Sequence, residues 1–453
     1  MKFSTTTLGC KVNQYETQAM EWILREHGHE AAKLGDGCDV CILNTCAVTA
    51  ESVRKSRQLV RKMKKLEPGA VIAVCGCYSE LSPEEVAELG ADVVGGVYDR
   101  RGFALKVGKT QGDRLAVLTS ANTASLSPCV FPTFEELPPG STAGRTRALL
   151  KIQDGCDNFC TYCIVPYIRG RSRSLPLERV AEYATQLKEQ GYKEIVITGI
   201  EISSYGKTGD GSVSYSPAGV RHRTVPCLTA TVPCLTAIQT INHAAPGTRL
   251  RLGSLDPAIL TDEFCQKLCE IPTLCNHFHL SLQSGCDEIL RKMGRRYNTE
   301  QVLQSIKSIR KHFKDCGITA DLITGFPGET EDDFKQTLAF IKKAAFSDMH
   351  IFPYSQRPGT KAAKMPGQIE KSIKKERARR ATEIATEMAN DFKNAQIGKT
   401  VEVLFEQYIN GISTGHTSNY LEVTIKGKEE RNSIRDVKIT SLESNKLTGK
   451  IIQ

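Results

Sequence analysis

The chain has 453 residues, 40% of them apolar and 25% charged, with a net charge of +9 and 17 cysteines. This composition suits a globular protein of about three domains, no run approaches the ~18 apolar residues of a membrane helix, and the N-terminal Met1-Lys2-Phe3-Ser4-Thr5-Thr6-Thr7 lacks the apolar core of a secretory signal, so a cytoplasmic protein is expected. So many thiols in a reducing compartment argue against a disulfide scaffold and for metal or redox chemistry, and the positive charge is a mild bias towards a polyanionic partner.

Residues 1 to about 125 alternate strand and helix. Strands are predicted at Lys2 to Leu8, Asp39 to Leu43, Val71 to Val74 and Asp92 to Val94, with helices at about 14 to 28, 50 to 65 and 82 to 89. Such alternation predicts a mainly parallel sheet. Cys10, Cys46 and Cys77 each fall just past the end of a strand, and in a parallel sheet those ends share the edge where ligands bind. Three thiols far apart in sequence are thus expected to meet and to hold a cluster with one iron open. Cys38, Cys41 and Cys75 lie before or inside strands among apolar neighbours and read as core residues. The helix from Glu51 to Leu66 carries seven positive charges, which suit either phosphates or a solvated face. From about 121 to 144 the chain turns rich in Ser, Thr, Pro and Gly, as a linker does.

From Arg145 to about Thr360 strand and helix alternate again, with strands predicted at Ala148 to Ile152, Glu194 to Thr198, Arg249 to Leu252, His277 to Leu282, Thr319 to Ile323 and Met349 to Phe352. Six βα units are too few for a complete eight-stranded barrel, so an open partial barrel is expected, with its chemistry at the carboxyl ends of the strands. The first of those ends carries Cys156-x3-Cys160-x2-Cys163. Three thiolates on one loop, with no fourth cysteine at ferredoxin spacing, can hold three corners of a cubane and leave one iron open to a ligand. A zinc knuckle is the alternative, but zinc sites pair two such hairpins and no second half lies nearby. The later strand ends carry Thr198-Gly199-Ile200-Glu201, Gly253-Ser254-Leu255-Asp256-Pro257, Gln283-Ser284-Gly285 and Gly325-Phe326-Pro327-Gly328. Glycines at such points let backbone approach a ligand closely. His277 and His279 alternate along a strand and are expected to line the barrel or its core. Arg291, Lys292, Arg295 and Arg296 form a basic cluster open to an RNA role or to solvent.

Between the second and third strands, Thr224-Val-Pro-Cys-Leu-Thr-Ala230 is repeated at once as Thr231 to Ala237. The period is too short for a solenoid, and the extra copy is expected to lengthen a surface loop. A basic helix follows from about Glu370 to Lys393, and then short strands at Thr400 to Glu406, Tyr420 to Lys426, Arg435 to Ile439 and Lys446 to Ile451 predict a small antiparallel barrel.

With Tyr162 before its last cysteine, the Cys156 to Cys163 loop resembles those of radical S-adenosylmethionine enzymes, in which the amino and carboxylate groups of methionine chelate the open iron. Thr7 to Gln14, Asn44 to Thr49 and Gly76-Cys77-Tyr78 resemble the N-terminal domain of the methylthiotransferases within that superfamily. The wording Gly9-Cys10-Lys11-Val12-Asn13-Gln14 is most similar to the branch that acts on threonylcarbamoyladenosine in tRNA. The position of the last domain and its Gly415 to Tyr420 turn resemble TRAM, an OB-like RNA-binding module. The resemblance implies an α/β protein of three parts: a parallel α/β domain at 1–125, a partial (β/α)6 radical core at 142–373, and a basic helix with a TRAM barrel at 374–453. It implies two 4Fe-4S clusters, one on Cys10, Cys46 and Cys77 and one on Cys156, Cys160 and Cys163, with S-adenosylmethionine near Gly199, Glu201, Ser254, Gln283 and Gly325. The implied partners are a tRNA anticodon stem-loop, an electron-donor protein and a sulfur source, with no membrane. The competing expectations are another methylthiotransferase substrate, in isopentenyladenosine tRNA or a ribosomal protein, and a non-catalytic iron-sulfur protein that binds RNA and senses redox state.

Overall fold

A computed structural model describes residues 1–109, 116–117, 134–140, 146–207 and 233–452. The N-terminal part is a parallel sheet in the order β2-β1-β3-β4-β5-β6, formed by β1 Lys2–Thr7, β2 Glu30–Ala31, β3 Val40–Thr45, β4 Val71–Gly76, β5 Val93–Val94 and β6 Ala116–Val117. Helices α1 Lys11–Glu26, α2 Ala50–Leu66, α3 Cys77–Leu81, α4 Pro83–Glu88 and α5 Arg100–Lys109 connect its strands. Every residue of β3 is buried, as a central strand covered on both faces requires. Helix α1 begins at Lys11, earlier than the apolar pattern predicts, because its first turn is largely polar. It buries Val12, Tyr15, Ala19, Ile23 and Leu24 along one stripe. Helix α5 went unpredicted, since only Phe103, Ala104 and Val107 supply its apolar stripe.

The middle of the chain forms the expected curved parallel wall. Its staves are β7 Arg147–Lys151, β10 Glu194–Thr198, β11 Arg249–Leu252 with its continuation β12 Ser254–Leu255, β13 His277–Gln283, β14 Gly317–Thr324 and β15 Asp348–Pro353. β11 pairs back to β10 while β12 pairs forward to β13, so the third stave joins two sheets into one partial barrel. A short antiparallel pair, β8 Gln153–Asp154 and β9 Arg173–Ser174, flanks the cysteine loop, which runs into helix α6 Val165–Arg169. The remaining helices are α7 Leu177–Glu189, α8 Pro233–Ala244, α9 Asp262–Cys269, α10 Asp287–Met293, α11 Thr299–His312 and α12 Glu331–Ala344. One parity of strand residues, including Leu150, Ile195, Ile197, Leu250 and Leu280, packs under these helices in the main core. The other parity turns Leu149 and Val196 towards α1, so the N-terminal domain closes the open side of the barrel.

The repeated heptapeptide is described only from Pro233. Its first copy lies outside the described residues, but the second begins α8, where Cys234, Leu235 and Ala237 are buried. The expected surface loop falls on residues 208–232, outside the described residues. Of the expected linker, 134–140 is described and docks on α1, where the Tyr15 hydroxyl donates to the Leu137 carbonyl at 2.6 Å.

Helix α13 Lys371–Asn394 leads to a closed barrel of β16 Thr400–Ile409, β17 Ile412–Thr417, β18 Glu422–Lys426, β19 Ile434–Glu443 and β20 Lys446–Ile451, in the order β16-β17-β18-β20-β19. All its pairs are antiparallel except β18 with β20. Strand β17 was expected as part of a turn, because its buried positions are Ser413, Gly415 and Thr417 and none is apolar. Among the described residues no helix is long and apolar enough to cross a membrane.

Candidate metal centre

The loop carrying Cys156, Cys160 and Cys163 is fixed by its flanks. Gly155 has φ +70°, and a Cβ there would sit 1.9 Å from the Arg171 carbonyl oxygen, so only glycine can lead into Cys156. The Gly155 amide donates to Asp154 Oδ1 at 2.8 Å and the Cys156 amide to the Gly170 carbonyl at 3.1 Å. On the far side the Thr161 amide donates to the Met293 carbonyl and its hydroxyl to that of Lys292, both at 2.9 Å. The three thiols line a cleft of ≈ 320 Å³ at the carboxyl ends of the barrel strands. Burial pushes the Cys156 and Cys163 thiols up to about 12. Thiols so raised stay neutral at ordinary pH unless a metal takes the proton's place.

Arg295 was expected in a surface basic cluster. Its side chain is instead almost wholly buried, with Nη1 3.2 Å from Cys160 Sγ, Nη2 3.0 Å from Asp256 Oδ2 and Nε donating to the Tyr297 hydroxyl at 2.9 Å. Its neighbours Arg291 and Arg296 are exposed. Charge density gave the cluster away in sequence, but nothing there separated the inward arginine from the outward ones.

The second set forms on the sheet edge. β1, β3 and β4 are adjacent in the sheet, so the residues leaving their carboxyl ends are brought side by side. Cys10 is the N-cap of α1, Cys46 directly follows β3, and Cys77 opens α3. A Cβ on Gly9, at φ +103°, would lie 3.1 Å from Cys46 Sγ, which shows how closely the Cys10 turn approaches that thiol. Burial raises the Cys77 thiol to about 12 against the opposing field of Arg169, and burial likewise raises Cys10. Cys38, Cys41 and Cys75 are buried in the sheet's cores, as expected.

The two sets adjoin. Val48 and Thr49, just after Cys46, line the same cleft as Cys156, Cys160 and Cys163. Ile164 and Ile168, beside the first loop, pack with Cys77 and Tyr78. A buried ion network that sequence reasoning missed runs between them. Arg169 donates to Glu16 Oε1 at 2.8 Å, Glu16 Oε2 at 3.1 Å, Asp154 Oδ1 at 3.1 Å and Asn13 Oδ1 at 2.7 Å. Lys151 reaches Glu16 at 2.9 Å and Asp154 at 2.7 Å, and Arg100 reaches Glu16 at 3.1 Å. Burial alone would raise the Glu16 carboxyl, but Arg169, Lys151 and Arg100 together hold it well below its usual range. Asn13 also donates to the Leu8 and Thr45 carbonyls, both at 2.9 Å, and so ties the Cys10 turn to the end of β3.

The donor sets fit clusters better than single ions. Among the described residues the one group with all its ligand atoms within 4.8 Å of one another is His279, Asp321 and His350, and neither cysteine set is so tight. Zinc would draw its thiolates onto one atom, whereas each corner iron of a cubane takes its own.

Of the residues expected near S-adenosylmethionine, Glu201 and Gln283 line the cleft, and Gly199, Ser254 and Gly325 are not among its lining residues. A Cβ on Gly199 would meet Gln153, whose side-chain oxygen accepts from the Glu201 amide at 2.8 Å. Burial, with Asp256 nearby, raises the Glu201 carboxyl to about 7. Gln283 stands at φ +70° beside a register shift in β13, a bulge that re-aims its side chain. Below the cleft a polar ladder descends the lumen. His277 and His279 both meet the Thr319 hydroxyl, at 3.1 and 2.8 Å, and Asp321 pairs with His279 at 3.1 Å and His350 at 3.4 Å. Burial opposes ionisation of Asp321, but hydrogen bonds from the two histidines outweigh it and hold the carboxyl at about 2.

The pattern of the radical SAM superfamily matches residues 150–341, and that of an uncharacterized protein family, UPF0004, matches residues 2–96. The threonylcarbamoyladenosine tRNA methylthiotransferase MtaB of Bacillus subtilis is 35% identical over 94% of this chain and 90% of its own. A tRNA-2-methylthio-N(6)-dimethylallyladenosine synthase of Symbiobacterium thermophilum is 30% identical over 99% and 93%. Among solved structures, the radical S-adenosylmethionine methyltransferase TsrM of Kitasatospora setae aligns with a TM-score of 0.54 at 15% identity, over 80% of this chain and 75% of that one, a likeness of fold.

Proposed function

This chain belongs to the radical S-adenosylmethionine tRNA methylthiotransferases, and from that premise we propose that it converts N6-threonylcarbamoyladenosine beside the tRNA anticodon into its 2-methylthio derivative. The family works with two 4Fe-4S clusters and S-adenosylmethionine. Cys156, Cys160 and Cys163 are the residues to hold one cluster, with Glu201 and Gln283 in the wall beside it, and Cys10, Cys46 and Cys77 the residues to hold the other. When bound, these groups supply what no side chain can: a carbon radical able to open an unactivated aromatic C–H bond, a sulfur atom and a methyl group.

The chain's own residues hold the two centres at one opening. The carrying observation is that Val48 and Thr49 of the Cys46 segment wall the same cleft as the other three cysteines. A single base in the cleft then lies within reach of both centres, as sequential attack at one carbon requires. Ile323, Phe352 and Tyr354 supply apolar wall that keeps water from a reactive intermediate. Helix α2, which starts beside Thr49, exposes Lys55, Arg61 and Lys62, and α13 exposes Lys371 and Lys375. They suit the phosphates of an anticodon stem-loop from which the target base is splayed out. This reading sets the protein in the cytoplasm and requires an electron-donor protein and a sulfur source.

Nucleoside mass spectrometry of tRNA from a deletion strain tests the reading. Loss of the methylthio group from threonylcarbamoyladenosine, restored by the intact gene and not by Cys46→Ala, is expected. Its persistence, or loss from isopentenyladenosine instead, overturns the assignment. Reductive cleavage of S-adenosylmethionine to 5'-deoxyadenosine by the anaerobically reconstituted protein separates the enzyme from a redox sensor.

A further inference from the structure

Under the Cys10 turn lies a second cavity of ≈ 240 Å³, where the N-terminal sheet, the barrel lumen and the C-terminal barrel meet. Its charged lining is Lys11, Arg147, Arg251, Arg431 and Glu406, around the ring of Tyr420. Two of the cations are already matched. Arg147 pairs with Glu406 at 3.2 Å and Arg251 with Glu194 at 2.6 Å, and both guanidinium groups stack on Tyr420, at 5.3 and 4.7 Å from its centroid. Glu406 is further occupied by His416 at 3.0 Å, and the nearest carboxylate towards the cleft, Asp321, by His279 and His350. The ammonium of Lys11 and the guanidinium of Arg431, both on exposed residues at the chamber's rim, make no hydrogen bond or ion pair among the described residues. The chamber thus holds two cations without counter-ions, and an anion entering it would find partners already in place.

The position of Lys11 says which anion. It follows Cys10 directly, and its charge is felt by Tyr420, Arg251 and Arg147 on one side and by Asp321, a wall of the cluster cleft, on the other. On adenine, C2 and the N6 amine flank N1 on one edge of the ring. A base that offers C2 to a centre on Cys10 with its N1 edge towards Lys11 extends its N6 substituent into the chamber. We propose that this chamber receives a carboxylate-bearing N6 substituent of the target adenosine, with Lys11 pairing with the carboxylate and thereby selecting the substrate. Leu149 and Val196 give the chamber an apolar wall for the rest of an amino-acid side chain. An isopentenyl group would leave both cations unmatched. A phosphodiester would have to bring its flanking nucleotides into a space of amino-acid size.

This inference rests on the threonylcarbamoyladenosine reading, and the test separates the two. Two synthetic anticodon stem-loops are compared with the reconstituted holoenzyme: one carries threonylcarbamoyladenosine, the other the same nucleoside with its carboxylate converted to the primary amide. The intact protein is expected to prefer the carboxylate by roughly ten- to a hundredfold in kcat/KM, mostly through KM and matched by equilibrium Kd. Lys11→Met should bring that ratio close to one with the iron content and electron paramagnetic resonance of both clusters unchanged, and Lys11→Arg should keep part of it. Equal use of both stem-loops by the intact protein overturns the inference and leaves the proposed function standing. An equal loss on both in Lys11→Met also overturns it, since Lys11 would then hold a backbone phosphate. An intact holoenzyme that cleaves S-adenosylmethionine yet modifies neither stem-loop removes the reading beneath, and the inference with it.

Discussion

Arg169→Met tests whether the buried ion network joins the two cysteine sets. Methionine fills similar space but removes a guanidinium that is 1% exposed and makes five hydrogen bonds to Glu16, Asp154 and Asn13. Taking one partner from a buried ion network costs about 3–5 kcal/mol, because the opposite charge stays behind. Here Glu16 keeps Lys151 and Arg100, and Asp154 keeps Lys151 and Arg173, so the lower end, about 3 kcal/mol, applies. Loss of the 2.7 Å donor to Asn13 adds about 1 kcal/mol. Arg169 Nε is buried without a partner, and removing it returns about 1 kcal/mol, for a net loss of about 3. Glu16→Gln strips the carboxylate from three cations and should cost about 4–5 kcal/mol. The double variant should fall short of the sum by about 1–3 kcal/mol. Trp22, the sole tryptophan, lies on α1 with Glu16, so its fluorescence in anaerobic urea titration reports unfolding of the unit concerned. A loss below about 1 kcal/mol for Arg169→Met, or strictly additive effects, would refute the assignment of this network as a joint.

Cys10→Ser, Cys46→Ser and Cys77→Ser should each lower the iron content of the purified protein from about eight to about four atoms per chain; full retention in all three would exclude a shared cluster there. Arg295→Met deletes the 3.2 Å contact with Cys160 Sγ. Because hydrogen bonds to cluster sulfur raise the reduction potential, the first cluster should become harder to reduce in a potentiometric titration followed by electron paramagnetic resonance, and an unshifted midpoint would contradict the geometry. The Cys77, Cys156 and Cys163 thiols, raised to about 12 by burial, must each lose a proton on binding iron. Iron uptake by the apoprotein should therefore be faster at pH 8.5 than at pH 6.5; uptake indifferent to pH would show that the thiols ionise beforehand.

What could be read from the chain was whatever repeats or punctuates. Short strand-forming runs followed by Gly-Cys, β-branched and polar in β1 and apolar in β4, marked two sheet strands, and parallel pairing then dictated that Cys10 and Cys77 share an edge with Cys46. Strand β17 escaped because Ser413, Gly415 and Thr417 carry no apolar alternation. The network escaped for another reason: Asn13 and Glu16 look like ordinary polar helix positions, and their partner Arg169 is 153 residues beyond Glu16. Burial of a charge is decided by its partner, and partnership over that distance leaves no local pattern. Arg295 was visible as a charge but not as a contact of Cys160, since its inward turn depends on Asp256 and Tyr297 waiting behind it.

Helix α6 and the ion cluster around Glu16 weld the sheet edge to the barrel mouth. The gap from one cysteine loop to the other is consequently set by buried contacts, like the span between two posts set in one footing. On the proposed reading, a base held in the cleft meets both loops at that one spacing.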